Sequence, residues 1–154
     1  MTANDIVRRL RFILDLDDSE MIAVFAKADM AVTRAQISDW LKRDDDPAYE
    51  VCSEQALGIF LSGLITHRRG AKDGPKPPPD KHITNNMVLA RLKIAFELRA
   101  EDVLHLLESV GFVMSRHELS ALLRKPGHKH YRQCLDQVLR NFLSGLQLKY
   151  RGAI

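Results

Sequence analysis

An internal repeat restricts this chain more than any other feature. Moving the sequence by 82 residues lays 4–70 on 86–152 without a gap. Asn4 falls on Asn86, Arg9-Leu10 on Arg91-Leu92, Leu16 on Leu98, Arg34 on Arg116, Ser38 on Ser120 and Leu41 on Leu123. Tyr49, Cys52 and Gln55 meet Tyr131, Cys134 and Gln137; the block FLSGL at 60–64 recurs at 142–146, and Arg69-Gly70 recurs as Arg151-Gly152. Of the 67 aligned positions 18 are identical, and most others pair apolar with apolar. An ungapped register of that length marks a duplication, so the fold must be one that a single short unit can build twice. The division expected is a first repeat over 1–70, a linker over 71–85 and a second repeat over 86–154. The linker carries four of the six prolines, in AKDGPKPPPDKHIT, which cannot continue a helix and reads as an extended, solvated, semi-rigid spacer.

Helical periodicity dominates both copies. Ile6, Leu10, Ile13 and Leu14 recur at helical spacing, with Asn4 read as the N-cap. A second helix is expected from Asp17, capped by its carboxylate with Glu20 at the third position. Its apolar face is Met21, Ile22, Val24, Phe25 and Ala28, matched by Val103, Leu104, Leu106, Leu107 and Val110. Thr33-Arg-Ala-Gln36 and Ser115-Arg-His-Glu118 are capping boxes, flanked by the staple pairs Val32/Ile37 and Met114/Leu119. After a polar turn, a long helix follows over roughly 53–69 and 135–151, ending at Gly70 and Gly152, where a left-handed residue is wanted. No stretch alternates with period two for long enough to form a strand. The expectation is an all-α protein of two tandem repeats, about four helices each.

Ser62-Gly63 and Ser144-Gly145 fall inside that long helix, where glycine costs about 1 kcal/mol relative to alanine. Keeping the cost in both copies implies that another backbone approaches there. It could belong to the same helix of the other copy, a neighbouring helix within the copy, or a second subunit.

Composition limits the function classes. With 154 residues, 45% hydrophobic, and a net charge of +3, the chain is too apolar and too nearly neutral to be disordered. It has no run of about 18 apolar residues to span a membrane. Its start, MTANDIVRRLRFILDLDD, does not read as a secretion signal, and two cysteines without one suggest reduced thiols in a cytoplasmic protein. No phosphate-binding glycine loop, no G-x-S-x-G and no H-E-x-x-H is present. His128-Lys-His130-Tyr-Arg-Gln-Cys134, with His105 and His117 elsewhere, matches no recognised zinc spacing, and the first copy has Asp46, Ala48 and Cys52 at the three positions. In Y-x-x-C-x-x-Q the expected role is structural, a core cysteine with the Tyr hydroxyl and Gln amide closing a backbone hydrogen bond. No catalytic residue, metal or cofactor is assigned, and the protein is read as non-enzymatic.

Charge says more. Residues 1–70 carry a net −3 and residues 86–154 a net +5, so the two copies differ in sign over a shared core. The basic residues of the second copy gather at Arg116, Arg124, Lys125, Lys129, Arg132, Lys149 and Arg151, on one turn and two helix ends. Such positions suit phosphate contacts to DNA or RNA with little base readout. A helix-turn-helix within ESVGFVMSRHELSALLR is a weaker reading, because Leu119 comes late after Gly111 and Asp29 replaces that glycine in the acidic copy. An acidic half and a basic half could also pair copies head to tail, or bind a protein partner.

The paired N-x-(I/V)-(V/L)…FLSGL units, the box before W-L-K or L-L-R, the Y-x-x-C turn and the proline-rich spacer together resemble the YehS family over nearly the whole chain. The resemblance implies a bacterial cytosolic protein with two tandem helical domains. It brings no catalytic residue, cofactor or substrate, so the functional expectation rests on charge: a nucleic-acid-binding module, with protein–protein or self-association as the alternative.

Overall fold

The computed structural model describes residues 1–152 and is helical throughout them, with eight helices and no strand. Four belong to a first compact unit, Met1–Ile83: α1 (Ala3–Ile13), α2 (Asp18–Lys27), α3 (Arg34–Leu41) and α4 (Glu54–Arg69). Four belong to a second unit that begins at Thr84: α5 (Asn85–Ala95), α6 (Ala100–Glu108), α7 (Arg116–Leu123) and α8 (Asp136–Arg151). The all-α tandem architecture expected from the repeat is the one observed.

Six of the eight helices start where a side chain satisfies a free amide; α6 and α8 start at Arg99 and Leu135 without one. Asp17 accepts from the Glu20 amide at 2.8 Å while Glu20 accepts from the Asp17 amide at 3.2 Å. Thr33 with Gln36 and Ser115 with Glu118 close the same reciprocal boxes. The Ser115 amide holds the Glu118 carboxyl below its usual range. The first helix corrects the expectation. Its N-cap is Thr2, which accepts from Asp5 N at 3.1 Å, and α5 is capped by the equivalent Thr84. Asn4 and Asn86 lie inside their helices and are buried.

The apolar faces close around the long helices. In the first unit Leu10, Met21, Phe25, Ile37, Phe60 and Leu64 are fully buried. The Phe25 ring lies 5.2 Å from Phe60 and 5.6 Å from Trp40. In the second unit leucines replace two of these rings, Leu107 for Phe25 and Leu122 for Trp40, and Phe142 alone is aromatic at the three positions. Burying each such side chain contributes about 2 kcal/mol.

The two serine–glycine steps are explained within each unit. A Cβ on Gly63 would collide with the Val24 carbonyl oxygen and come 2.9 Å from its carbon. On Gly145 it would collide with the Leu106 carbonyl in the same way, again 2.9 Å from the carbon. So α2 rests directly on α4, and α6 on α8, backbone against backbone. Gly152 takes the left-handed conformation expected (φ 73°, ψ 6°), whereas Gly70 has a positive φ of 87° with an extended ψ of 162°, so α4 ends on glycine but not in a left-handed cap. Asp29 and Gly111 share a left-handed turn (φ 65° and 81°), so the substitution leaves the backbone path unchanged.

The proline-rich segment forms no helix or strand but does not hang free. Lys76 donates to Lys27 O, at the end of α2, and pairs with Asp29, both at 3.1 Å. Further on, Glu54 at the start of α4 accepts from Ile83 N at 3.2 Å, and His82 stands beside it at 3.5 Å. Having left α4 at its C-terminus, the chain therefore returns to that helix's N-terminus before the second unit begins.

Candidate nucleic-acid interface

The basic turn of the second unit hangs from one buried side chain. Asn86 donates from Nδ2 to Leu122 O at 2.9 Å and to Arg132 O at 2.8 Å, and its Oδ1 accepts from Cys134 N at 2.9 Å. That asparagine ties the end of α7 to the returning side of the loop in one step. Arg132 N donates to Ala121 O at 3.1 Å, while His128 N→Lys125 O and Tyr131 N→His128 O form successive tight turns at 2.9 Å. Asn4 repeats the arrangement in the first unit, bonding Trp40 O, Glu50 O and Cys52 N at 2.8–3.0 Å. The Tyr–Cys–Gln reading holds for the cysteines, which are buried, and is corrected for their partners: asparagine, not Tyr or Gln, closes the backbone bond at Cys52 and Cys134. Asn4 is therefore not the cap that its place before the first apolar residues suggests. Two residues earlier, Thr2 and Thr84 are also identical, and they are the caps.

Both thiols are buried, and burial pushes them up to about 11. A thiol raised in the folded state stays protonated where an unfolded one ionises, so it resists alkylation at neutral pH. We expect iodoacetamide at pH 8 to label neither Cys52 nor Cys134 in the folded protein and both after denaturation, as read by mass spectrometry. Rapid labelling of the native chain would contradict the burial argument.

The exposed side of the turn carries Arg124, Lys125, Lys129 and Arg132. Comparison with the first unit shows a difference in pairing. There Lys42 pairs with Asp39 at 2.8 Å and Arg43 with Asp45 at 3.4 Å. Their counterparts Arg124 and Lys125 face Ala121 and Gly127 at those partner positions, and Glu50 has become Arg132. Among the described residues no carboxylate pairs with any of the four. Arg8, which donates to Leu41 O and Lys42 O at the end of α3, is replaced by Ala90, leaving the end of α7 without that cation.

The other three basic residues stand apart. Arg116 opens α7 and is bound to Glu101 at 3.0 Å, just as Arg34 reaches Asp18 at 3.6 Å. Lys149 and Arg151 lie in the last turn of α8, about 20 Å along the helix axis from its start at the turn. There Lys149 sits 5.7 Å from the Tyr150 ring, and both cations oppose the negative end of the helix dipole. The helix-turn-helix reading also fails on geometry, since residues 109–115 separate α6 from α7 where that motif uses three or four. His128 and His130 are exposed while Cys134 is buried, and no group of three or more metal-ligating side chains is assembled among the described residues. No helix among them is long and apolar enough to cross a membrane.

No solved structure matches the chain. The uncharacterized protein YehS of Escherichia coli (strain K12) is 39% identical over 147 residues, covering 95% of this chain and 94% of that protein. A family model described as a protein of unknown function, DUF1456, matches twice, at residues 3–70 and 85–152. Each match spans one set of four helices with its hanging turn, and the chain belongs to the DUF1456 family as a tandem pair of its domain.

Proposed function

We propose that this protein is a cytoplasmic, non-enzymatic binding module that holds nucleic acid by backbone phosphates at the α7–α8 turn. The observation that carries this reading is four exposed cations without a carboxylate partner among the described residues, on a turn fixed from behind, two of them standing where the first unit has paired cations. A fixed cation without a local partner gains most from a phosphate, because no internal ion pair has to be broken first. The contacts would be to backbone rather than to base edges, so DNA and RNA of any sequence should compete.

The test is fluorescence anisotropy with labelled single- and double-stranded DNA and RNA at low and moderate salt. Changing Arg124, Lys125, Lys129 and Arg132 together to alanine should weaken binding at least about tenfold at low salt and flatten the salt slope by roughly three, since each phosphate contact contributes about 0.7–0.9. Changing Arg116, Lys149 and Arg151 should do far less. Equal binding by the quadruple variant would remove the turn from the account.

One observation favours a second reading. The equivalent turn of the first unit presents Asp44, Asp45, Asp46 and Glu50, a surface of opposite sign on the same frame. Sedimentation of the same quadruple variant decides it: a concentration-dependent oligomer that the substitutions abolish supports head-to-tail association.

A further inference from the structure

The residue at the apex of the turn has exchanged an acceptor for a donor without altering the backbone. In the first unit Asp46 Oδ1 accepts from Ala48 N at 2.8 Å, fixing the bend. In the second, His128 Nδ1 accepts from His130 N at 3.0 Å and does the same work. A backbone amide can only donate, so Nδ1 must be unprotonated, and the neutral ring then carries its proton on Nε2. Asp46 has a second carboxylate oxygen beyond the one used, which is an acceptor; His128 has an N–H instead. Beside that N–H, Arg124 Nη1 lies 3.3 Å from Nε2. Arginine also only donates. Two donors thus converge, and neither can satisfy the other.

We infer that Arg124 and His128 form an oxyanion fork, with one phosphate oxygen accepting from both Nη1–H and Nε2–H, and with Lys125 and Lys129 nearby in sequence supplying charge. This rests on the reading of the turn as a phosphate-contacting surface, and it assigns the atoms that make the contact. The fork is specific to the second unit, because the matching pair in the first is Lys42 and Asp46, and Lys42 is already held by Asp39 at 2.8 Å. The ligand class is a phosphate ester or free phosphate; a neutral ligand would gain little from two donors among cations.

The experiment is nitrogen-15 NMR of the histidine rings in the full chain, followed through a titration with inorganic phosphate and, separately, with an unstructured eight-nucleotide DNA. The free protein should show His128 as the Nε2–H tautomer, and both probes should shift Nε2 saturably. Arg124→Ala should weaken the phosphate response about tenfold, the worth of a hydrogen bond to a charged group. His128→Asn keeps the bend-fixing oxygen and presents an N–H, so its phosphate affinity should stay within about twofold of the parent, whereas His128→Asp should lose about tenfold. His130→Asp adds the same charge without removing the donor and should cost less than His128→Asp. An Nδ1–H tautomer, or an Nε2 that ignores phosphate, overturns the fork. DNA that binds by anisotropy yet leaves Nε2 unmoved overturns the fork while sparing the nucleic-acid reading. Saturable phosphate binding at Nε2 with no nucleic acid bound at any salt supports the fork and discards that reading.

Discussion

Replacing Gly63 by alanine should destabilise the protein by about 3 kcal/mol, although alanine is the better helix former by about 1 kcal/mol. The added carbon would meet the Val24 carbonyl group, which is main chain and cannot rotate aside as a side chain would. Relief requires α2 to move off α4, opening the contacts of Met21, Val24 and Phe25, all fully buried. Gly145→Ala should act alike through Leu106 in the second unit. In a unit of this size such a loss lowers the melting temperature by roughly 10–20 °C. Thermal denaturation followed by circular dichroism gives the answer, with Ser62→Ala as the control, since Ser62 is exposed and its replacement should be neutral or slightly stabilising. A melting temperature that rises in Gly63→Ala would show that the helices are not in backbone contact.

The second large effect is expected at the buried asparagines. Asn86→Ala leaves two carbonyls and one amide without partners where water has little access, at about 1–3 kcal/mol for each group that stays unsatisfied. A total of about 3–4 kcal/mol allows for one of the three finding water. Asn86→Asp should be worse still, because its carboxylate can accept from Cys134 N but would oppose the carbonyls of Leu122 and Arg132. Function should follow stability only in part. At a temperature where Asn86→Ala remains folded, its loosened turn should bind nucleic acid several-fold more weakly, while Asn4→Ala, in the other unit, should bind normally despite a similar stability loss. Amide hydrogen exchange at Cys134 and at Cys52 reports which turn has been released. An unchanged exchange rate at Cys134 in Asn86→Ala would refute the suspension described above.

What could be read from the chain beforehand divides along contact distance. The caps at Asp17, Thr33 and Ser115 were legible because donor and acceptor are three residues apart, and a three-residue spacing is visible in the string itself. The glycines announced that some backbone came close, but whether it was Val24 or another copy depends on how α2 folds back, which no spacing encodes. Asn4 misled for the same reason: its partners lie 36 to 48 residues away, and a helix-start asparagine has a ready local explanation. The basic residues were identifiable from charge alone. Their separation into four on the turn, one in an ion pair with Glu101 and two at the far end of α8 needed the third dimension. The donor at His128 could not be anticipated at all, since it follows from which ring nitrogen the His130 amide selects.

Because each loop is gripped by an interior asparagine and by its own main chain, its outward residues contribute little to keeping it in shape. After the duplication the two copies could come to carry DDDPA and PGHKH here, faces of opposite sign, with one constraint shared: something at the apex must accept the amide two residues on. Aspartate and histidine both meet it. A scaffold of this kind is an interchangeable mount, and new specificities could be grafted at 44–48 or 126–130 without redesigning the helices beneath.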